Sequence, residues 1–150
     1  MQITTTRDLT APTFHRIDDE GKLFISPAIR ECAPIAALGV DTVIDMEGGL
    51  DECIPTTPEG CVYVYFPIYD EELPPLSRLH AIGEMGAHLI RHGHGVLSHC
   101  GMGFNRSALV AGVILHKLGG MRGPEIVSRI RERRPGALFN DVFAGYLHSL

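Results

Sequence analysis

The sequence has 150 residues, enough for one domain with its own hydrophobic core and too few for two of ordinary size. Hydrophobic residues make up 45% and charged residues 21% of it, proportions of a globular protein and not of a disordered or fibrous one. A net charge of −5 weighs against a general nucleic-acid or membrane coat, and no apolar run reaches the ~18 residues of a membrane span.

The Met1–Arg7 stretch has neither the basic n-region nor the apolar h-region of a signal peptide, so a cytoplasmic location is expected. Residues 1–21 read as a lead-in to a core over residues 22–150. Lys22-Leu-Phe-Ile reads as a short strand, with Ser26 placed to cap a helix and Pro27 to occupy its first turn. Asp41–Met46 is a second strand and Cys61–Ile68 a third, rich in β-branched and aromatic residues. Between them, Glu47–Gly60 carries Gly-Gly, two prolines and several acids, the composition of a loop.

Apolar residues at 76, 79, 82, 85, 89 and 90 recur at helical spacing over Leu76–Arg91. Gly95–His99 is a brief apolar strand, and Ser107–Leu118 a nearly all-apolar helix that Gly119-Gly120 stops. Pro124–Arg134 and Asn140–Leu150 are two further helices. Strands alternating with helices predict one α/β domain, a central and mostly parallel sheet flanked by helices.

Charge is unevenly spread. Residues 31–77 hold ten acids and no Lys or Arg, whereas residues 106–134 hold seven basic residues against Glu125 and Glu132. The bland reading is a solvated acidic loop region followed by a solvated basic helix face; the sharper one is that one end of the molecule presents a positive field to an anionic substrate. The informative stretch is His99-Cys-Gly-Met-Gly-Phe-Asn-Arg106-Ser107, which lies between a buried strand and a buried helix. A short glycine-containing loop leading into a helix N-terminus gathers backbone N–H groups around an anion. Gly101 and Gly103 let the backbone turn tightly, while Met102, Phe104 and Asn105 complete a loop without a charged residue. Arg106 can offer a bidentate fork to two phosphate oxygens. A thiol at the base of such a field is activated toward the thiolate, which makes Cys100 a nucleophile facing its target.

His99-Cys100-x5-Arg106-Ser107 resembles the signature of the cysteine-dependent phosphatases, the protein tyrosine phosphatase superfamily. At average residue usage, four residues fixed at this spacing arise by chance in a chain of this length on the order of once in 10⁴. In the family's small dual-specificity members, the general acid is an Asp about thirty residues before the Cys, a position filled here by Asp70. Leu23-Phe-Ile-Ser-Pro and Arg134-Pro135 followed by Asn140 are similar to the family's first strand and closing segment, so the likeness spans about residues 22–150. The resemblance implies attack by Cys100 on phosphorus, proton donation by Asp70 and oxygen binding by Arg106 and the loop amides. It also implies release of the thiolate helped by Ser107, and a supporting part for His99. Neither a metal nor another cofactor is called for.

The loop's lack of Lys, Arg or His weighs against phosphoinositide substrates and favours phosphotyrosine, with phosphoserine/threonine as a further class. The expected partner is a phosphorylated protein or a small phosphomonoester. Gly103-Phe-Asn-Arg106 is also similar to the loop of the RNA 5′-triphosphatases of capping, which cleave a phosphoanhydride without a general acid. That alternative alone would bring in a nucleic acid; Asp70, Ser107 and the acidic net charge lean away from it. A third reading is a catalytically weak phospho-binding module, which the presence of Cys100, Arg106 and Asp70 together disfavours. Rhodanese-type and arsenate-reductase readings lack a use for Asp70.

The four cysteines, Cys32, Cys53, Cys61 and Cys100, are expected to be thiols, given no export signal and a core of adequate size. Some family members shield the nucleophile with a disulfide, so the resemblance implies Cys53 or Cys61 as a partner for Cys100 on oxidation. His88 and His92 share a helix face, but Leu89-Ile90-Arg91 between them lacks the glutamate of a zinc-protease helix. With His94 they read as solvated helix-end residues.

Overall fold

The structure is a computed structural model and describes residues 13–150. Most of the lead-in, including Met1–Arg7, therefore lies outside the described residues. Among the described residues, five strands form one sheet: β1 (His15–Arg16), β2 (Leu23–Ser26), β3 (Val40–Asp45), β4 (Val62–Tyr65) and β5 (Gly95–His99). Their order across the sheet is β1-β2-β5-β3-β4. Strand β1 runs antiparallel to β2, and every other pairing is parallel. The expected mostly parallel sheet is present, and its first strand falls inside what the sequence suggested was a lead-in.

The helices that flank it within the described residues are α1 (Ala33–Ala37), α2 (Leu76–Arg91), α3 (Arg106–Leu118), α4 (Gly123–Arg133) and α5 (Asp141–His148). Central β5 is buried at all its positions, as a strand covered on both faces should be. On one face, α3 is the hub. Its Leu109, Val110, Val113 and Ile114 join Leu79 of α2, Ile126 and Ile130 of α4, and Phe143 and Leu147 of α5 in the main core. Small residues set the spacing: a Cβ on Gly83 or Gly86 of α2 would run into Val113 or Ile114, and one on Gly112 into Leu147. The opposite face is covered more thinly, by Ile29, Ile35 and Cys32 against Phe24, Val43 and Leu97.

Two expectations change here. Ser26 does not cap a helix; its hydroxyl donates to the Pro27 carbonyl at 2.8 Å, and the next helix starts only at Ala33, with Pro34 in its first turn. Ser26-Pro27 instead turns the chain beneath the Cys100 loop, where the Ala28 N–H donates to the Gly101 carbonyl at 3.1 Å. Second, Cys32 and Cys53 are joined in a disulfide, with Cα atoms 5.6 Å apart, while Cys61 and Cys100 are free. The expectation of four thiols fails for this pair. The reason is long-range: the 47–60 loop folds back over the thin face, bringing Cys53 to the head of α1. Cys53 is thus already engaged and packs on the face opposite Cys100, and Cys61 lies with it there. The implied disulfide from either to the nucleophile is not formed.

Among the described residues, no helix is long and apolar enough to cross a membrane.

Candidate active site

Strands β2, β5 and β3 are parallel, so their C-terminal ends share one edge of the sheet. The site stands at that edge. The loop leaves β5 after His99, and α3 begins at Arg106. Cys100 is only 2% exposed, at the base of the loop, and its Sγ lies 3.4 Å from Ser107 Oγ. The Ser107 carbonyl accepts from Ser98 Oγ at 2.9 Å, pinning the first turn of α3 to the strand.

The loop's curvature comes from Gly103, whose φ is +73°, a left-handed conformation that only glycine adopts readily. A Cβ there would also lie 2.7 Å from the Pro27 nitrogen. At Gly101 a Cβ would meet Glu47 Oε1 at 2.9 Å and Arg106 Nη2 at 3.3 Å, so the acid and the guanidinium both reach in beside this residue. Arg106 Nη1 donates to the carbonyls of Met46 at 3.4 Å and Ile68 at 3.3 Å. Its Nε is buried and without a partner among the described residues, a donor that an anion's oxygen would satisfy.

Asp70 stands at the end of the segment leaving β4, with Asn105 Nδ2 donating to its Oδ2 at 2.9 Å and Asn140 Nδ2 to its Oδ1 at 2.8 Å. Asn105 Oδ1 accepts in turn from the Asn140 backbone N–H at 2.9 Å. Asn140 caps α5, accepting from Val142 and Phe143. Asp70, the Cys100 loop and the head of α5 are thus one hydrogen-bonded unit. Asn105 reads from sequence as a substrate-binding residue of the loop, with Gly101, Met102, Gly103 and Phe104; its side chain instead clamps Asp70, a placement with no local signal.

Arg134 grips the same loop from the far side. Its guanidinium donates to the Gly103 and Met102 carbonyls, both at 3.3 Å, and lies 3.9 Å above the Phe104 ring. Burial lowers its pKa, with the Cys100 charge acting in the opposite sense. Phe104 packs in turn against Phe139, the two ring planes tilted by 55°. Tyr69, Met102 and Phe139 are exposed, giving the loop and its closing segment an apolar rim. A cleft of about 510 Å³ lined by Phe66, Pro67, Tyr69, Pro74 and Arg78 lies along the segment carrying Asp70, and none of residues 99–107 lines it.

Behind the loop, His99 is 1% exposed. Its Nε2 lies 2.5 Å from Asp51 Oδ2 and 3.7 Å from Asp45 Oδ1. The Tyr63 hydroxyl donates to Asp45 Oδ2 and accepts from the Asp51 backbone N–H at 2.9 Å. Burial raises the Asp51 pKa against the opposing pull of His99. Burial and the Asp45 contact likewise raise that of Tyr63. Sequence reasoning does not single out Asp51 or Tyr63. The histidines considered as a cluster do not converge: His88 and His92 stack ring on ring, while His94 pairs with Asp41 at 2.7 Å.

No protein-family profile and no curated protein matches this sequence. Solved structures do. Tk-PTP in its active form is 27% identical with a TM-score of 0.70, covering 90% of this chain and 95% of that one. Human DUSP28 superimposes with a TM-score of 0.76 at 22% identity over 91% of this chain and 93% of its own. PTPMT1 in complex with PI(5)P does so at 0.76 and 19%, over 90% and 92%. At their levels of identity the last two speak to the fold alone. Over most of its length the chain is therefore similar in fold to small protein tyrosine and dual-specificity phosphatases, with its His-Cys-x5-Arg-Ser loop seated between a central parallel strand and a buried helix.

Proposed function

We propose that the chain hydrolyses phosphate monoesters, phosphotyrosine first and phosphoserine/threonine as a further class, through a phosphocysteine. The observation supporting this reading is that Asp70, from the segment after β4, is hydrogen-bonded through Asn105 to the loop that starts at Cys100 and leads into Arg106. Three groups with distinct chemistry in register around one loop suit in-line displacement.

In the proposed first step, Cys100 Sγ as thiolate forms a bond to phosphorus as the bond to the ester oxygen breaks. Asp70 gives its proton to that leaving oxygen, a contribution of about 10²–10⁴-fold for a general acid. Arg106 and the loop N–H groups hold the equatorial oxygens as charge redistributes. In the second step, Asp70 as carboxylate takes a proton from water, whose oxygen attacks phosphorus. The electron pair of the S–P bond returns to Cys100, where Ser107 Oγ, 3.4 Å away, can donate to it. Phosphate leaves, and Asp70 is again protonated. Each step uses groups the chain itself supplies. The apolar rim of Tyr69, Met102 and Phe139 supports an aromatic ester over an alkyl one.

A substrate panel at fixed pH tests the proposal: phosphotyrosine and phosphothreonine peptides, a phosphoinositide and triphosphate-ended RNA. Release of phosphate from the phosphotyrosine peptide at the highest kcat/KM is expected. Preferential turnover of the RNA end would transfer the site to phosphoanhydride chemistry, and binding of the peptides without turnover would make it a recognition module.

A further inference from the structure

We propose that Asp51 is a positioning residue that acts on Cys100 through His99, and that the Cys32–Cys53 disulfide keeps it in place. This rests on the phosphatase reading of the site and adds a part of the machinery lying outside the loop itself.

His99 is the last residue of β5 and immediately precedes Cys100, so the orientation of its ring bears on where the loop starts. Its Nε2 is 2.5 Å from Asp51 Oδ2, whereas its Nδ1 is buried without a partner among the described residues. A carboxylate at that distance places the ring proton on Nε2 and leaves Nδ1 as the other tautomer's unused site. The same contact decides between a hydrogen bond and a cation. Asp45, Asp51 and His99 could each offer one ligand atom, and these lie within 4.8 Å of one another. Yet an ion bound at ~2.0–2.2 Å to both His99 and Asp51 would hold their ligand atoms about 3 Å apart. At 2.5 Å they share a proton.

Nothing near Asp51 in sequence would hold it there. It sits in the acidic 47–60 loop, 48 residues from His99, and three ties fix it. Its own N–H donates to the Tyr63 hydroxyl. Asp45, which accepts from that hydroxyl, also accepts from the Glu47 N–H at 2.8 Å. Two residues beyond Asp51, Cys53 is bonded to Cys32, which stands at the start of α1. The disulfide closes the loop's path just past the carboxylate and anchors it to a helix that packs on the sheet. Orienting an imidazole through an outer carboxylate is a general way to fix its tautomer.

The experiment compares wild type, Asp51→Asn and the Cys32→Ser/Cys53→Ser pair in degassed, thiol-free buffer. Two readouts are taken: long-range 1H–15N spectra of 15N-histidine-labelled protein, with His99 assigned by a His99→Asn sample, and steady-state turnover of p-nitrophenyl phosphate. In Asp51→Asn the negative charge that holds the proton on Nε2 is gone, so the His99 spectrum should shift from the Nε2–H toward the Nδ1–H form. There kcat should fall about tenfold with KM within about twofold, the split expected of a misplaced reacting group. The serine pair keeps Asp51 itself and should move both readouts in the same direction by a smaller amount. It also decides the matter if Asp51→Asn does not fold. An unchanged His99 signature and kcat in Asp51→Asn would overturn the proposal. A change there with none in the serine pair would overturn the disulfide's part in it. If wild type turns over no phosphate ester, the phosphatase reading fails, while the histidine spectra still decide whether Asp51 governs His99.

Discussion

Asn105 donates to Asp70 across 2.9 Å, and with that one bond the loop holding Cys100 is joined to the segment bearing the proposed proton donor. Asn105 is almost wholly buried, and both ends of its amide are used, the other accepting from the Asn140 N–H. Asn105→Ala should therefore leave the part-buried Asn140 N–H and one oxygen of the exposed Asp70 carboxylate without this partner, at a cost of about 1 kcal/mol. Its kcat should fall more than its binding of vanadate. Asn140→Ala should lower kcat too, and additionally lose about 0.5–2 kcal/mol through the α5 cap. Denaturant midpoints beside kcat for the two variants check both statements.

Asp70→Asn separates proton donation from binding. Its effect should depend on the leaving group: a loss of about 10²–10⁴-fold in kcat on phenyl phosphate, and a much smaller loss on p-nitrophenyl phosphate, whose leaving oxygen needs little protonation. Equal losses on the two esters would remove Asp70 from the acid's part.

Cys100→Ser should abolish turnover and still bind tungstate, because the loop amides and Arg106 remain. Arg106→Lys should be severely impaired in both, since a point charge cannot replace a fork that holds two oxygens and the Met46 and Ile68 carbonyls at once. Calorimetric titration with tungstate beside turnover distinguishes the two variants.

The loop's glycines should fail differently. Gly103→Ala forces a side chain into a left-handed backbone and against Ser26 and Pro27 main-chain atoms that cannot move aside. It should cost at least about 1–3 kcal/mol and shift the thermal midpoint. Gly101→Ala meets only the far ends of Glu47 and Arg106. It should fold nearly as well as wild type and show its effect as a raised KM.

Stability should rise with pH toward the ordinary histidine value. Burial lowers the pKa of His80, helped by Lys117 and His116, and burial followed by Arg134 lowers that of His15. A base whose folded pKa is depressed favours the native state above its unfolded value of 6.5. That advantage is lost as pH falls through the folded value. His80 bonds the hydroxyl of Tyr146 between α2 and α5. The thermal midpoint should therefore drop as pH falls below about 6.5, and His80→Gln should remove part of the drop.

Much of the molecule is readable from residue order, and the parts that are not share a cause. Helix α2 and strand β5 declare themselves by local spacing, and their observed bounds coincide with those expected, Leu76–Arg91 and Gly95–His99. The Cys100 loop is legible for the same reason: every member lies within nine residues. Asp70 can be placed only by its distance from Cys100. Asp51 cannot be placed at all, because an acid in an acidic loop looks like its neighbours until the loop folds back. The Cys32–Cys53 bond misleads in the same way, since cysteine counts carry no information about which two meet. Strand β1 escapes because two residues have no period to read.

The parallel run of β2, β5 and β3 has a consequence beyond placement. Ser26, Asp45 and His99 end up side by side only because three strands far apart in the chain finish on one line. Asp70 and Asn140 are then drawn in from two more stretches. No fragment of the chain owns the cradle, and no local excursion that peels away β3 or α5 would leave it intact. Chemical competence is in that sense an all-or-none property of the molecule, and turnover serves as a gauge of whether the entire sheet is assembled.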